Sequence, residues 1–112
     1  MESLNIADEI EFNATRQVRK RLVMKERIEM ELVCYEPGQN TVEHHHVGQD
    51  EIYYFLEGEG TVTVGDESLD VGPGSVVYVP AEAKHTVLTR DTRLVMAFFK
   101  SPGRSTKRPM KD

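Results

Sequence analysis

Tryptophan is absent from this chain, and cysteine occurs once, at position 34. A lone thiol excludes an intramolecular disulfide and a multi-cysteine zinc site, so any bound metal must rest on imidazoles and carboxylates. No apolar run is long enough to cross a bilayer as a helix. The stretch from Met1 to Glu11 lacks the basic-then-apolar order of a secretion signal, and the expectation is a cytoplasmic protein with no membrane partner. Also missing are internal repeats, low-complexity tracts and any segment whose apolar spacing sustains a long helix. Between Ile28 and Asp70 there is no Lys or Arg at all, whereas Asp and Glu number eleven. Such a stretch attracts cations.

The 112 residues, 38% hydrophobic and 29% charged, have the composition of a globular protein and would not divide into two halves each able to bury a core. One domain is expected, in three parts: an N-terminal arm with an early strand (1–27), a core (28–100) and a polar, basic tail (101–112). Basic residues gather at the two ends, with Arg16, Arg19, Lys20, Arg21, Lys25 and Arg27 upstream and Lys100, Arg104, Lys107, Arg108 and Lys111 downstream. No aromatic residues interleave them as single-strand nucleic-acid binding requires, so they read as solvated edges and no nucleic-acid partner is expected.

Within the core the pattern has period two. Ile28, Met30, Leu32 and Cys34 alternate with Glu29, Glu31, Val33 and Tyr35, which predicts a strand with its even positions inward and Cys34 as a small buried hydrophobe. After the break at Pro37-Gly38, Val42, His44 and His46 share one face and His45 takes the other. Further strands run from Glu51 to Glu57, Thr61 to Val64, Ser68 to Val71, Ser75 to Val79, His85 to Thr89 and Arg93 to Lys100, separated by Gly, Pro and Asp turns. Short strands at this spacing predict an all-β sandwich or closed barrel. His44 and His46, two apart on one face, stand just before Glu51 at the head of the next strand, and His85 heads another. Three imidazoles and a carboxylate suit Mn, Fe, Co, Ni, Cu or Zn. A one-residue register shift would put Asp50 in place of Glu51.

These residues resemble the cupin family. Its first motif is Gly, five residues, His, one, His, three or four, Glu, six, Gly, and Gly38, His44, His46, Glu51 and Gly58 match it at every fixed position. Its second motif is matched by Gly74, Pro80 and His85 and departs at Glu82 and Thr89, where the family has Gly and Asn. Neither departure touches a metal ligand of the family; both bear on turn geometry and the barrel rim. The spacer between Gly58 and Gly74 is short, as in compact microbial cupins. The resemblance spans about residues 28 to 100 and implies a double-stranded β-helix, or jelly-roll barrel. It implies one divalent transition-metal ion on His44, His46, Glu51 and His85, and a homodimer.

Met30, Tyr53, Phe55, Met96 and Phe98 are candidates to line a substrate pocket above the metal, with core packing as the alternative role. Glu82 and Lys84, on the turn before His85, and Arg93 are the visible candidates for an acid or base, with a solvated turn as the alternative role of the first two, and no catalytic residue is assigned. Three functional readings follow. The first is a metal-dependent enzyme of dioxygenase, decarboxylase or isomerase type acting on a small oxygen-chelating organic molecule. The second is a barrel that binds or senses a small ligand without turnover, and the third a metal-free structural barrel.

Overall fold

The computed structural model describes residues 1–103. Arg104, Lys107, Arg108 and Lys111 of the expected basic tail lie outside the described residues. The alternating segments form nine strands, β1 (Val18–Met24), β2 (Glu29–Tyr35), β3 (Asn40–His44), β4 (Asp50–Glu57), β5 (Gly60–Val64), β6 (Glu67–Val71), β7 (Val76–Val79), β8 (His85–Thr89) and β9 (Leu94–Ser101). Among the described residues the helical structure is one 3-10 turn, Ile6–Asp8, capped by the Asn5 side chain. Among the described residues no helix is long and apolar enough to cross a membrane.

The strands pair antiparallel in two sheets, one in the order β1-β2-β9-β4-β7 and the other β3-β8-β5-β6. Consecutive strands β3 and β4 lie in different sheets, as do β7 and β8, so the chain repeatedly crosses from one sheet to the other. This is the jelly-roll, double-stranded β-helix expected from the motifs. Between the sheets lie Val33 and Tyr35 of β2, Tyr53 and Phe55 of β4, Val62 of β5, Val77 and Val79 of β7, Val87 of β8 and Leu94, Met96 and Phe98 of β9. Each fully buried side chain of this kind contributes about 1.5–3 kcal/mol.

The inward face of β2 is the reverse of the sequence expectation. Its odd residues, Glu29, Glu31, Val33 and Tyr35, face the barrel interior. Met30, Leu32 and Cys34 face outward, where Ile6, Ile10 and Phe12 of the N-terminal arm cover them together with Val95 and Ala97. Both faces are therefore buried, and apolar parity ceases to mark the inside. Burial raises the Cys34 thiol pKa, consistent with a packing role.

The turn between β4 and β5 is a point of close approach. Gly58 has φ +82°, and a Cβ there would stand 1.7 Å from the carbonyl oxygen of Arg93, so only glycine fits. The two departures from the second motif have structural answers. Glu82 adopts the positive φ of 67° that the family gives to glycine, and its carboxylate accepts from the Gly48 N–H at 3.3 Å. At the rim, the Thr89 hydroxyl accepts from Gly38 N–H at 2.8 Å while Thr89 N–H donates to Asn40 Oδ1, also at 2.8 Å.

Candidate metal centre

The site forms at one end of the barrel, where two loops cross between the sheets. His44 and His85 are cross-strand partners on β3 and β8, with ring centroids 4.1 Å apart. His46 follows β3 in the crossover to β4, and the ring centroids of His44 and His46 are 4.9 Å apart. The crossover loops are tied together by the Glu82 N–H, which donates to the His46 carbonyl at 2.9 Å. From the opposite sheet, Glu51 near the start of β4 places Oε2 3.4 Å from Nε2 of both His46 and His85. One ligand atom from each of the three histidines lies within 4.8 Å of the others. Atoms bound at about 2.1 Å to one ion stand roughly 3–4 Å from one another, so the spacing suits a single ion with little adjustment.

The hydrogen bonding fixes which nitrogen is offered. His44 Nδ1 lies 2.8 Å from the Val42 carbonyl and His85 Nδ1 2.8 Å from the Ala83 carbonyl. A carbonyl only accepts, so both Nδ1 atoms carry the proton and both Nε2 atoms present lone pairs. His85 Nε2 and Glu51 Oε1 are buried with no hydrogen-bond partner. Lone pairs thus face lone pairs in a dry site, an arrangement that costs free energy unless a cation or proton sits between them. The donor set fits a divalent transition metal.

Burial lowers the pKa values of His44 and His85, holding both imidazoles neutral near neutral pH. Burial also pushes the Glu51 carboxyl up to about 7, against the attraction of Lys100, with Glu31 adding to the rise and Arg19 opposing it. His45, one residue beyond β3, is exposed. Asp50 faces outward, where its Oδ1 accepts from Ala81 N–H at 2.9 Å; the observed register leaves Glu51 as the inward carboxylate.

Of the pocket candidates, Tyr53, Phe55, Met96 and Phe98 are packed in the interior cluster, with the Tyr53 ring 5.9 Å from that of His85 and 5.8 Å from that of Phe98. Met30 does not belong with them, because it lies on the outer face of β2 under the N-terminal arm. Arg93 is also remote from the site: on the outside it forms a two-pronged pair with Glu36 at 2.9 and 3.1 Å and stacks over Phe12.

Sequence reasoning missed a row of ionised groups on the inner face of the larger sheet. Lys100 is the cross-strand neighbour of Glu51 on β9. Its ammonium lies 3.3 Å from Glu31 Oε2, and Arg19 lies 3.6 Å from Glu31 Oε1. Both cations stand over the Phe98 ring, at 5.1 and 5.4 Å. Lys100 ends an apolar run and Glu31 sits in a strand whose apolar parity pointed elsewhere, so the only signal was charge inside strands at the metal end.

The model of the cupin domain family matches residues 31–99. The chain belongs to the cupin-domain family. The crystal structure of TT1209 from Thermus thermophilus superposes with a TM-score of 0.86 at 30% identity, covering 91% of this cupin and 98% of that chain. L-ectoine synthase of Nocardia farcinica is 36% identical over 64 residues, 55% of this chain and 49% of that enzyme. Quercetin 2,3-dioxygenase of Bacillus subtilis is 33% identical over 49 residues, 44% of this chain and 14% of that enzyme. The similarity to these two curated relatives therefore spans half or less of their lengths.

Proposed function

We propose that this cupin is a metal-dependent enzyme that holds one divalent transition-metal ion, drawn from Mn, Fe, Co, Ni, Cu and Zn, on His44, His46, Glu51 and His85. Its substrate would be a small oxygen-chelating organic molecule, and its chemistry of dioxygenase, decarboxylase or isomerase type. The observation that carries the reading is the unsatisfied pair of buried acceptors, His85 Nε2 and Glu51 Oε1, in a site whose Nδ1 protons are already committed to backbone carbonyls. Two of the curated relatives are named as enzymes, a synthase and a dioxygenase, and that supports catalysis over passive binding.

When bound, the ion supplies Lewis acidity and a template for oxygen ligands. The chain's residues have separate tasks. Val42 and Ala83 carbonyls hold the imidazoles in one tautomer. Val79, Tyr53 and Phe98 keep the floor of the site dry, which strengthens every charge interaction within it. Lys100 and Glu31 place a buried donor and acceptor beside Glu51, the position for moving or holding a proton on a bound molecule.

Elemental analysis of the freshly purified protein is expected to find about one transition-metal ion per chain. His46→Ala should lower that content at least tenfold, and turnover with it, while the fold persists. Full metal retention in His46→Ala would overturn the ligand assignment. Tight small-molecule binding without product, across a substrate screen with all six metals, would favour a binding or sensing role.

A further inference from the structure

The inner face of the larger sheet carries charges of both signs next to the metal ligands, and they balance only before an ion is added. Glu31 is the carboxylate that both Arg19 and Lys100 approach, at 3.6 and 3.3 Å. Glu29, the cross-strand partner of Lys100, and Arg21, the cross-strand partner of Glu31, add one charge of each sign to the same face. Counting the two cations of the first group, their shared carboxylate, Glu51 and a divalent ion leaves two positive charges uncompensated. Lys100 is 6% exposed and Glu31 2%, so solvent screens this excess poorly. A buried ammonium beside a cation site opposes metal binding electrostatically, and an anionic ligand bound between the two would relieve that repulsion. The Arg19 side chain, one-third exposed, can be reached from solvent.

We propose that Arg19 and Lys100, steadied by Glu31 and by the Phe98 ring, form an anion-recognition element beside the metal, and that the ligand of this cupin is an organic carboxylate. This rests on the metal reading above and narrows it, selecting a carboxylate among small oxygen-chelating molecules. Guanidinium and ammonium donors meet a carboxylate with charge-assisted hydrogen bonds, and a carboxylate on the ligand would share these donors with Glu31. Glu31 is then a positioning residue that competes with the ligand for the same two cations.

That competition gives substitutions of opposite sign, which a merely structural cluster would not. The test uses full-length protein loaded with Co(II), with occupancy fixed by elemental analysis. Malonate and its neutral analogue malonamide are titrated by calorimetry and by the visible Co(II) absorption band. Malonate is expected to bind at least tenfold more tightly than malonamide. Arg19→Gln and Lys100→Gln should each weaken malonate about tenfold, the weight of one charge-assisted hydrogen bond, at unchanged metal content. Glu31→Gln should tighten malonate several-fold. If Lys100→Gln does not fold, the partly exposed Arg19→Gln and the isosteric Glu31→Gln still decide the matter. Equal affinity for malonate and malonamide, or malonate affinity unmoved by Arg19→Gln and Glu31→Gln in the loaded protein, would overturn the anion element and leave the metal site standing. A wild-type chain that takes up no Co(II) would overturn the metal reading first, and this inference with it.

Discussion

Glu51, a carboxylate buried among neutral imidazoles, is destabilised as an anion in the metal-free protein, and burial raises its pKa from 4.5 to about 7. Between those values the folded, metal-free chain holds a proton that the unfolded chain has released. This group's contribution to stability is therefore full below about 4.5 and lost as pH rises through 7, a swing of about 3 kcal/mol. Replacing it by an amide removes the ionisable group while keeping the shape. Metal-free Glu51→Gln is thus expected to be more stable than metal-free wild type by on the order of 2 kcal/mol at pH 8, and nearly equal to it at pH 5, by urea unfolding. The depressed imidazoles of His44 and His85 act in the opposite direction with pH but equally in both proteins, and cancel from the comparison. Metal uptake has the complementary dependence. Affinity should rise with pH until about 7, with close to one proton released per ion at pH 6, measured by calorimetry in buffers of different ionisation enthalpy. Uptake independent of pH across that range would place the titrating proton elsewhere.

At the scale of strands and turns, the chain was legible where punctuation is strong. Turn residues at Pro37-Gly38, Gly58, Gly65-Asp66 and Gly72-Pro73-Gly74 bound strands close to those observed. The His-x-His pair was legible as a motif and not as alternation: a register shift between Thr41 and His44 separates His44 from Val42, which is 77% exposed, and His46 lies beyond the end of β3. The face of β2 was not legible. Period two identifies the inside only when the outside meets water, and here the arm residues Ile6, Ile10 and Phe12 roof the outer face. The same concealment hid Glu31, Lys100 and Arg19, because a charged residue within a strand reads as solvent-facing until its partner on another strand is known. The turn after β4 offers a direct check on the fold. Gly58→Ala must move the Arg93 carbonyl, and a loss of at least about 3 kcal/mol is expected in thermal or urea unfolding; a loss under about 1 kcal/mol would mean that the β4–β5 turn and the start of β9 do not meet as described.

Over the whole molecule, the N-terminal arm covers only one side of the larger sheet's outer face. On the other side Ile52, Tyr54, Val76 and Tyr78 stand side by side across β4 and β7, each at least 41% exposed, and β7 is an edge strand. An apolar face beside an open edge favours self-association. A homodimer is therefore expected by light scattering at micromolar concentration, and the Val76→Lys, Tyr78→Arg double variant should run as a monomer with its metal content intact. A monomeric wild type would refute the assignment of this face.

His44 and His85 hang from the smaller sheet, His46 follows in a crossover loop, and Glu51 reaches over from the larger sheet. An ion seated among them would act as a clasp on the open end of a clamshell. Stripping it should let that rim breathe while the far end stays shut, so amide exchange at residues 44–51 and 80–85 would quicken well before the rest of the barrel yields.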